Sequence, residues 1–280
     1  MNAIEINNLT KEYKDFKLDD ISLALPSGYI MGLIGENGAG KSTTIKLLLN
    51  AINADKGQIN ILGKSNKDNF KATKEDIGVV LDEAHFPEGV NAKQVNVIMR
   101  NTYKNWDEKV FFEYINKFSL PLKKSFKDFS RGMKMKLMIA VALSHDAKLL
   151  ILDEATSGLD PIVRDEILDL FYDFTRDESH SILISSHIVS DLEKLCDYIA
   201  FLHKGKLLFV EEKDILLENY RILKCSNAEF DDVDRDAIKG LRRTDYGVEA
   251  LVIKDMVNPA FKLEKPNIED IIVFMAKEVK

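Results

Sequence analysis

The run Gly35-Glu36-Asn37-Gly38-Ala39-Gly40-Lys41-Ser42-Thr43 has the residue types and spacing of a phosphate-cradling loop, G-x-x-x-x-G-K-[ST]. Each type has a chemical reason. Gly35, Gly38 and Gly40 let the backbone curl around phosphate without Cβ clashes. Lys41 is placed to reach the β- and γ-phosphates of a nucleoside triphosphate, and the Ser42 hydroxyl to ligate Mg²⁺. A second feature is the apolar run from Lys148 to Leu152, which ends in Asp153-Glu154. Asp153 can hold Mg²⁺ directly or through water, and Glu154 can accept a proton from an attacking water.

Four weaker signals accompany these. The run Ser181–Ser186 ends at His187, which reads either as a γ-phosphate contact or as a satisfied surface histidine. Ile77–Leu81 ends at Asp82-Glu83. An acidic pair there lies where α/β sheets bind ligands, or is a solvated loop. Ser130, in Ser130-Arg131-Gly132-Met133, reads as the N-cap of the apolar helix that follows. The alternative is a second helix N-terminus aimed at phosphate. Tyr13 either stacks on a purine or simply packs.

These residues need elements to hold them. Tyr29–Ile34 reads as a buried strand and Thr44–Leu49 as the first turns of a helix, so the loop joins a strand to a helix N-terminus. Unpaired N–H groups and the helix dipole favour an anion there. Residues 4–9 alternate like an exposed-edge strand, and Leu18–Leu25 is strand-like, ending at the turn Pro26-Ser27-Gly28. Lys56–Gly63 reads as turn, strand and turn. Residues 92–144 read as largely helical. Met99, Tyr103 and Trp106, then Phe111, Tyr114, Ile115 and Phe118, fall at helical spacing and are expected in the core. Leu149–Asp153 is apolar throughout, as a strand covered on both faces requires. Ser157-Gly158-Leu159-Asp160 forms a tight turn, and Pro161 opens a helix through Asp169 or beyond. Tyr198–Leu202 and Lys206–Val210 flank a hairpin turn. Near residue 214 the pattern becomes shorter and more polar, with strands expected at 221–225 and 248–253. A last helix presents Ile268, Ile271, Ile272, Met275 and Val279 as one stripe.

Composition bounds the function. The chain has 280 residues and a net charge of −7, a balance that argues against nucleic acid, whose backbone calls for a basic surface. Cys196 and Cys225 have neither C-x-x-C nor metal-ligand spacing, so two unremarkable thiols in a reducing cytosol are expected. No apolar run approaches the ~20 residues of a membrane span, and the N-terminus carries no signal peptide. Work at a membrane therefore requires a partner.

Taken together and in order, the phosphate loop (35–43), Ser-Arg-Gly-Met (130–133), Leu-Leu-Ile-Leu-Asp-Glu (149–154), Ser-Gly-Leu-Asp (157–160) and Ser186-His187 resemble the ATP-binding cassette (ABC) family over roughly residues 4–212. The resemblance implies an α/β fold. A RecA-like P-loop ATPase core would carry a small antiparallel β region and an inserted helical subdomain at about 83–145. The ATPase domain would span 1–213, and 214–280 would form a small α+β appendage. It implies two cassettes paired head to tail, each ATP lying between the loop of one and the signature of the other. Tyr13 then stacks on adenine and the loop residues 35–43 bind ATP. Ser130, Gly132 and Asp160 act across the dimer, and Arg131 either adds a cation near the opposing phosphates or points to solvent. Ser42, Asp82 and Asp153 hold Mg²⁺, Glu154 is the general base, and His187 contacts the γ-phosphate. Two positions depart from the family: Asp82 stands where Gln is usual, and Arg131 occupies the second position of a signature commonly Leu-Ser-Gly-Gly-Gln. Both, with the C-terminal appendage, look most like the subfamily that powers ABC-2-type exporters of drugs and antimicrobial peptides. That implies a separate integral-membrane permease, a groove for it along Asp82–Phe118, and a place on the cytoplasmic face of the membrane. A soluble cassette ATPase of DNA repair or translation is the alternative, disfavoured by the short helical insert and the single cassette. A P-loop kinase would leave Ser130 and His187 unexplained.

Overall fold

The computed structural model describes residues 1–68, 70–82, 86–245 and 247–277, with the side chains of 71 and 72 left aside. Glu83 and Val279 lie outside them.

Its centre is a six-stranded sheet of order β10-β9-β3-β8-β7-β6. The strands are β3 (Ile30–Ile34), β6 (Ile77–Val80), β7 (Leu149–Asp153), β8 (Ser181–Ser186), β9 (Tyr198–His203) and β10 (Lys206–Glu212). All run parallel except β10, which returns antiparallel from β9. The apolar runs have a simple cause. Leu149 and Ile151 face one core, and Leu150 and Leu152 the other; a strand covered on both sides has no polar face to show. In register, Ile34 lies beside Ser186 and Asp153 beside Ser185. The carboxyl ends of β3, β7 and β8 therefore finish level, as a shared site needs.

One face of this sheet packs on α1 (Lys41–Leu48) and on an antiparallel sheet of order β2-β1-β4-β5. That sheet comprises β1 (Asn2–Glu12), β2 (Lys17–Pro26), β4 (Lys56–Ile61) and β5 (Lys64–Ser65). The expectation of an exposed edge for residues 4–9 is corrected here. β1 pairs on both sides, with β2 and with β4, and Ile4, Ile6 and Leu9 are buried. Alternation reports one buried face; it does not say whether the strand's hydrogen-bonding edges are occupied. A short helix α2 (Phe70–Lys74) leads into β6.

The other face carries α3 (Ala92–Thr102), α4 (Glu108–Lys117), α5 (Arg131–Ala142), α6 (Pro161–Phe174) and α7 (Val189–Leu195). Phe111 and Ile115 of α4 are fully buried, so the aromatic stripe is core. The single spacing Met99, Tyr103, Trp106 does not lie on one helix. α3 ends at Thr102, Tyr103 turns extended as its C-cap, and Trp106 is pinned beyond it by Nε1 donating to Asn96 Oδ1 at 2.8 Å.

His145 shows how tightly this region is sealed. Its ring is fully buried and stacks on Tyr103 with centroids 3.9 Å apart. Nδ1 lies 3.1 Å from the Glu75 carbonyl oxygen, and Nε2 has no partner among the described residues. Burial lowers its pKa below the ordinary 6.5. The folded state thus disfavours the charged ring, and the stability this contributes is full above that ordinary value and lost as pH falls below it. We expect the unfolding midpoint of the wild type to fall more than that of His145→Phe between about pH 7.5 and about pH 5.5. Parallel losses would show that the ring does not titrate on folding.

Beyond β10 come α8 (Lys213–Asn219), β11 (Tyr220–Cys225), α9 (Asn227–Phe230), β12 (Ile238–Thr244), β13 (Gly247–Ile253), β14 (Leu263–Glu264) and α10 (Ile268–Met275). The strands form an antiparallel sheet of order β12-β13-β11-β14, of which β12 and β14 were not expected. Ile268, Ile271 and Phe274 of α10 pack into the same core as α7 and the central sheet. Burying such side chains stabilises by about 1.5–3 kcal/mol each, so this region is fastened to the ATPase core.

Candidate active site

The loop between β3 and α1 opens onto a cleft of about 610 Å³ at the carboxyl ends of the strands. Its wall includes Glu36, Asn37, Gly38, Gly40, Lys41, Ser42, Thr43, Asp82, Glu154 and His187. Gly38 (φ +84°) and Gly40 (φ +115°) have left-handed backbones, which favour glycine. Gly35 has a different reason: a Cβ there would strike the Leu202 carbonyl oxygen. Gly35 and Ala39 stand behind the wall. Ala39 N–H donates to the Glu36 carbonyl at 3.0 Å, and its own carbonyl accepts from Gly205 N–H at 3.1 Å.

The cleft fits a polyphosphate. No side chain caps α1, and Thr44 N–H, bonded to the Gly40 carbonyl at 2.9 Å, makes the first helical bond. The N–H groups before it are the unsatisfied donors of a helix start, an anion site. Lys41 is buried to 6% exposure. Its Nζ donates to the Gly35 carbonyl at 2.7 Å and lies 3.7 Å from Glu154 Oε1. An ammonium held over the loop by the Gly35 and Glu36 carbonyls and one carboxylate is ready for phosphate oxygens.

Glu154 is placed by an uncommon backbone. At φ +53° it occupies the left-handed region, which costs about 1–3 kcal/mol for a residue other than glycine. Its N–H is held by the Ser185 carbonyl at 3.1 Å. This turn brings Oε2 to within 2.6 Å of His187 Nδ1 and Oε1 toward Lys41. This contact engages His187 through Nδ1, on a ring 52% exposed. Asp153, one residue earlier, is buried and accepts from the Ser185 hydroxyl.

Oxygen donors for a divalent cation converge next to the loop. Ser42, Asp82 and Asp153 border one adjoining cavity of about 500 Å³. Among the described residues no group of three or more His, Cys, Asp or Glu could hold a metal alone. That suits Mg²⁺, which takes one or two carboxylates and completes its shell with waters and substrate phosphates.

The remaining expected residues lie outside this cleft. Tyr13 is 45% exposed, its ring 6.4 Å from that of Phe16. Phe16, with Asp15, lines the cleft itself, close against Gly40. Sequence reasoning chose Tyr13 and passed over Phe16; the available signal was a second aromatic in the same turn, which Tyr13 N–H closes onto the Phe16 carbonyl at 2.8 Å. Ser157 of the tight turn was also missed as a wall residue. Ser130 caps α5, its Oγ accepting from Met133 N–H at 3.2 Å, and Asp160 caps α6, Oδ1 accepting from Val163 N–H at 3.1 Å. Such caps contribute about 1 kcal/mol each. Arg131 faces neither solvent alone nor its own cleft: it donates to Asp82 Oδ1 at 2.8 Å. Gly132 follows in the first turn of α5.

Comparison with known proteins agrees with this geometry. The ABC transporter family matches residues 18–157. The lantibiotic transport ATP-binding protein SrtF of Streptococcus pyogenes is 37% identical over 216 residues, covering 75% of this chain and 91% of that protein. The bacitracin transport ATP-binding protein BcrA of Enterococcus faecalis is 32% identical over 257 residues, covering 90% of this chain and 82% of that protein. A solved ATP-binding subunit of an ABC transporter superposes with a TM-score of 0.67 at 27% identity, over 76% of this chain and 90% of that one. The chain belongs to the ABC transporter family, as one of its ATP-binding and ATP-hydrolysing subunits.

Proposed function

We propose that this chain energises a bacterial ABC exporter from the cytoplasmic face of the membrane. ATP would close a head-to-tail pair of cassettes, and hydrolysis would reopen it. The observation that carries the reading is the meeting of Lys41, Glu154 and His187 around one cleft, with Ser42 and Asp153 beside it. Relatives named for lantibiotic and bacitracin transport support an amphipathic peptide or antibiotic as the exported substrate.

The residues divide the work. Lys41 and the N–H groups at the start of α1 bind and orient the phosphates. Ser42 and Asp153, with Asp82 nearby, would hold Mg²⁺, which when bound would supply charge neutralisation for phosphoryl transfer. Glu154 takes the proton of the attacking water, and His187 is oriented by Glu154 toward the γ-phosphate. Ser130 and Gly132 of a second cassette, a copy of this chain or a homologue, would close the site from the far side. Both stand outside this chain's own cleft, as a contact made across a dimer requires.

Tyr13 and Phe16 would bracket the purine. Stacking on an aromatic is worth about 1–3 kcal/mol, so Tyr13→Ala should weaken ATP binding roughly 5–150-fold while leaving the unfolding midpoint unchanged. Phe16→Ala should weaken ATP binding and also lower the unfolding midpoint, since Phe16 packs against the loop. Undiminished ATP affinity in both variants, measured by calorimetric titration, would place the base elsewhere.

No helix among the described residues is long and apolar enough to cross a membrane, so the reading requires an ABC-2-type permease. The docking groove we assign is apolar, about 230 Å³, lined by Leu81, Phe86, Met99, Tyr103 and Met138 between β6 and the helices α3 and α5. It adjoins Asp82 in sequence, which connects a permease helix to the cleft. The test is co-expression with a permease encoded by a neighbouring gene: the wild-type chain should sediment with membranes, and Met99→Glu should release it while ATP turnover persists. Equal membrane retention of the two would remove the groove from the account.

A further inference from the structure

The two positions that depart from the family pattern are bonded to each other. Arg131, the first residue of α5, donates to Asp82 Oδ1 at 2.8 Å, although the two stand 49 residues apart. The arginine side chain reaches Asp82 by crossing the tight turn before α6. A Cβ placed on Gly158, at φ +71°, would lie 3.2 Å from the Arg131 Cδ and guanidinium carbon. Glycine at that position therefore leaves the channel through which the guanidinium passes. One side chain thus ties together the start of α5, the turn 157–160 and the end of β6.

Asp82 also borders both cavities of the site. It shares the nucleotide cleft with Lys41 and Glu154, and the adjoining cavity with Ser42 and Asp153. One carboxylate therefore bonds a guanidinium and borders the cavity in which a divalent ion beside Ser42 and Asp153 would sit. The guanidinium is permanently charged and repels a second cation. A carboxylate oxygen that accepts from Arg131 is withdrawn from metal or metal-bound water. The pair is half exposed, 56% and 50% at the two side chains, so it exchanges partners without unpacking a core.

We propose that Arg131 is a positioning residue that sets the Mg²⁺ requirement of nucleotide binding by holding Asp82, and that cation entry in turn frees Arg131. The two events are linked and so reciprocal: whatever Arg131 subtracts from cation affinity, the cation subtracts from the Arg131–Asp82 pair. While Arg131 holds Asp82, the signature is tied to the segment that follows its own β6. In the loaded chain Arg131 is released at the N-terminus of α5, beside Ser130 and Gly132, where the second cassette approaches. This rests on the proposed placement of Mg²⁺ beside Ser42 and Asp153.

The test is equilibrium binding of a non-hydrolysable ATP analogue, followed by fluorescence while Mg²⁺ is titrated, on the full chain and on Arg131→Gln, Asp82→Asn and the double variant. Arg131→Gln should lower the half-saturating Mg²⁺ concentration roughly 3–10-fold, the low end of typical couplings for a pair so exposed. Asp82→Asn should raise it, and adding Arg131→Gln to Asp82→Asn should change nothing further. A shift caused by Arg131→Gln that is equally large in both backgrounds would mean that Arg131 acts without Asp82, and no shift would mean that it does not act on the cation; either overturns the proposal and leaves the Mg²⁺ placement standing. Analogue binding by the wild type that is independent of Mg²⁺ would overturn both.

Discussion

Glu154→Gln is expected to lower ATP turnover by ~10²–10⁴, the range in which a positioned general base acts, while ATP binding is kept or tightened. The geometry gives the reason. Oε2 of Glu154 is 2.6 Å from His187 Nδ1 and Oε1 is 3.7 Å from Lys41 Nζ. The carboxylate thus sits between Lys41 and His187, which we assign to the phosphates and to the γ-phosphate. Gln keeps the shape and one acceptor but cannot take a proton, and it removes a negative charge from beside a polyanion. The variant should therefore accumulate an ATP-bound pair of chains, seen on a sizing column as a shift from one chain mass to two. Wild-type turnover by this variant would show that another group takes the proton.

The second large effect is Lys41→Ala. A charge-assisted hydrogen bond contributes about 1.5–3 kcal/mol, and Lys41 is placed to reach two phosphates. We expect a loss of ATP affinity of at least ~10²-fold, with hydrolysis undetectable. The fold should survive, because the buried ammonium bonds only to carbonyls of its own loop, those of Gly35 and Glu36, beside the Glu154 carboxylate, and removing a buried charge relieves its desolvation. Lys41→Arg should not rescue, since a planar fork does not replace a compact ammonium in a loop this closed. Calorimetric titration with ATP together with thermal unfolding separates the two effects. Intact affinity in a folded Lys41→Ala chain would contradict the loop's role.

What could be read from the sequence follows from how local each signal is. The strand–loop–helix around 30–48 is specified by contiguous residues, and so is the apolar run 149–153 with its terminal carboxylates. Each of these folds as its own stretch dictates. Ser130 and Asp160 as N-caps and Pro161 at a helix start are likewise short-range. The misses are non-local. β1 carries the alternation of a one-sided strand, but only its partners β2 and β4 decide that it lies inside the sheet. Tyr103 and Trp106 continue the helical spacing in sequence but lie beyond the end of α3, where Asn96 of α3 and His145, distant along the chain, hold them. Arg131 and Asp82 each stood out as substitutions, yet their pairing is written only in three dimensions. The left-handed backbone of Glu154, which turns its carboxylate toward Lys41 and His187, has no signature in residue type.

The claim at the centre of this account is that the cleft is half of a site and that Ser130 of a second chain supplies the rest. It is tested by mixing two inactive variants, Lys41→Ala and Ser130→Phe, and measuring ATP hydrolysis. A pair of Lys41→Ala chains has no working loop, and a pair of Ser130→Phe chains has no working signature. A mixed pair joins the intact loop of one to the intact signature of the other. Mixing should restore turnover well above the sum of the separate variants. Turnover that stays at that sum would contradict the shared site.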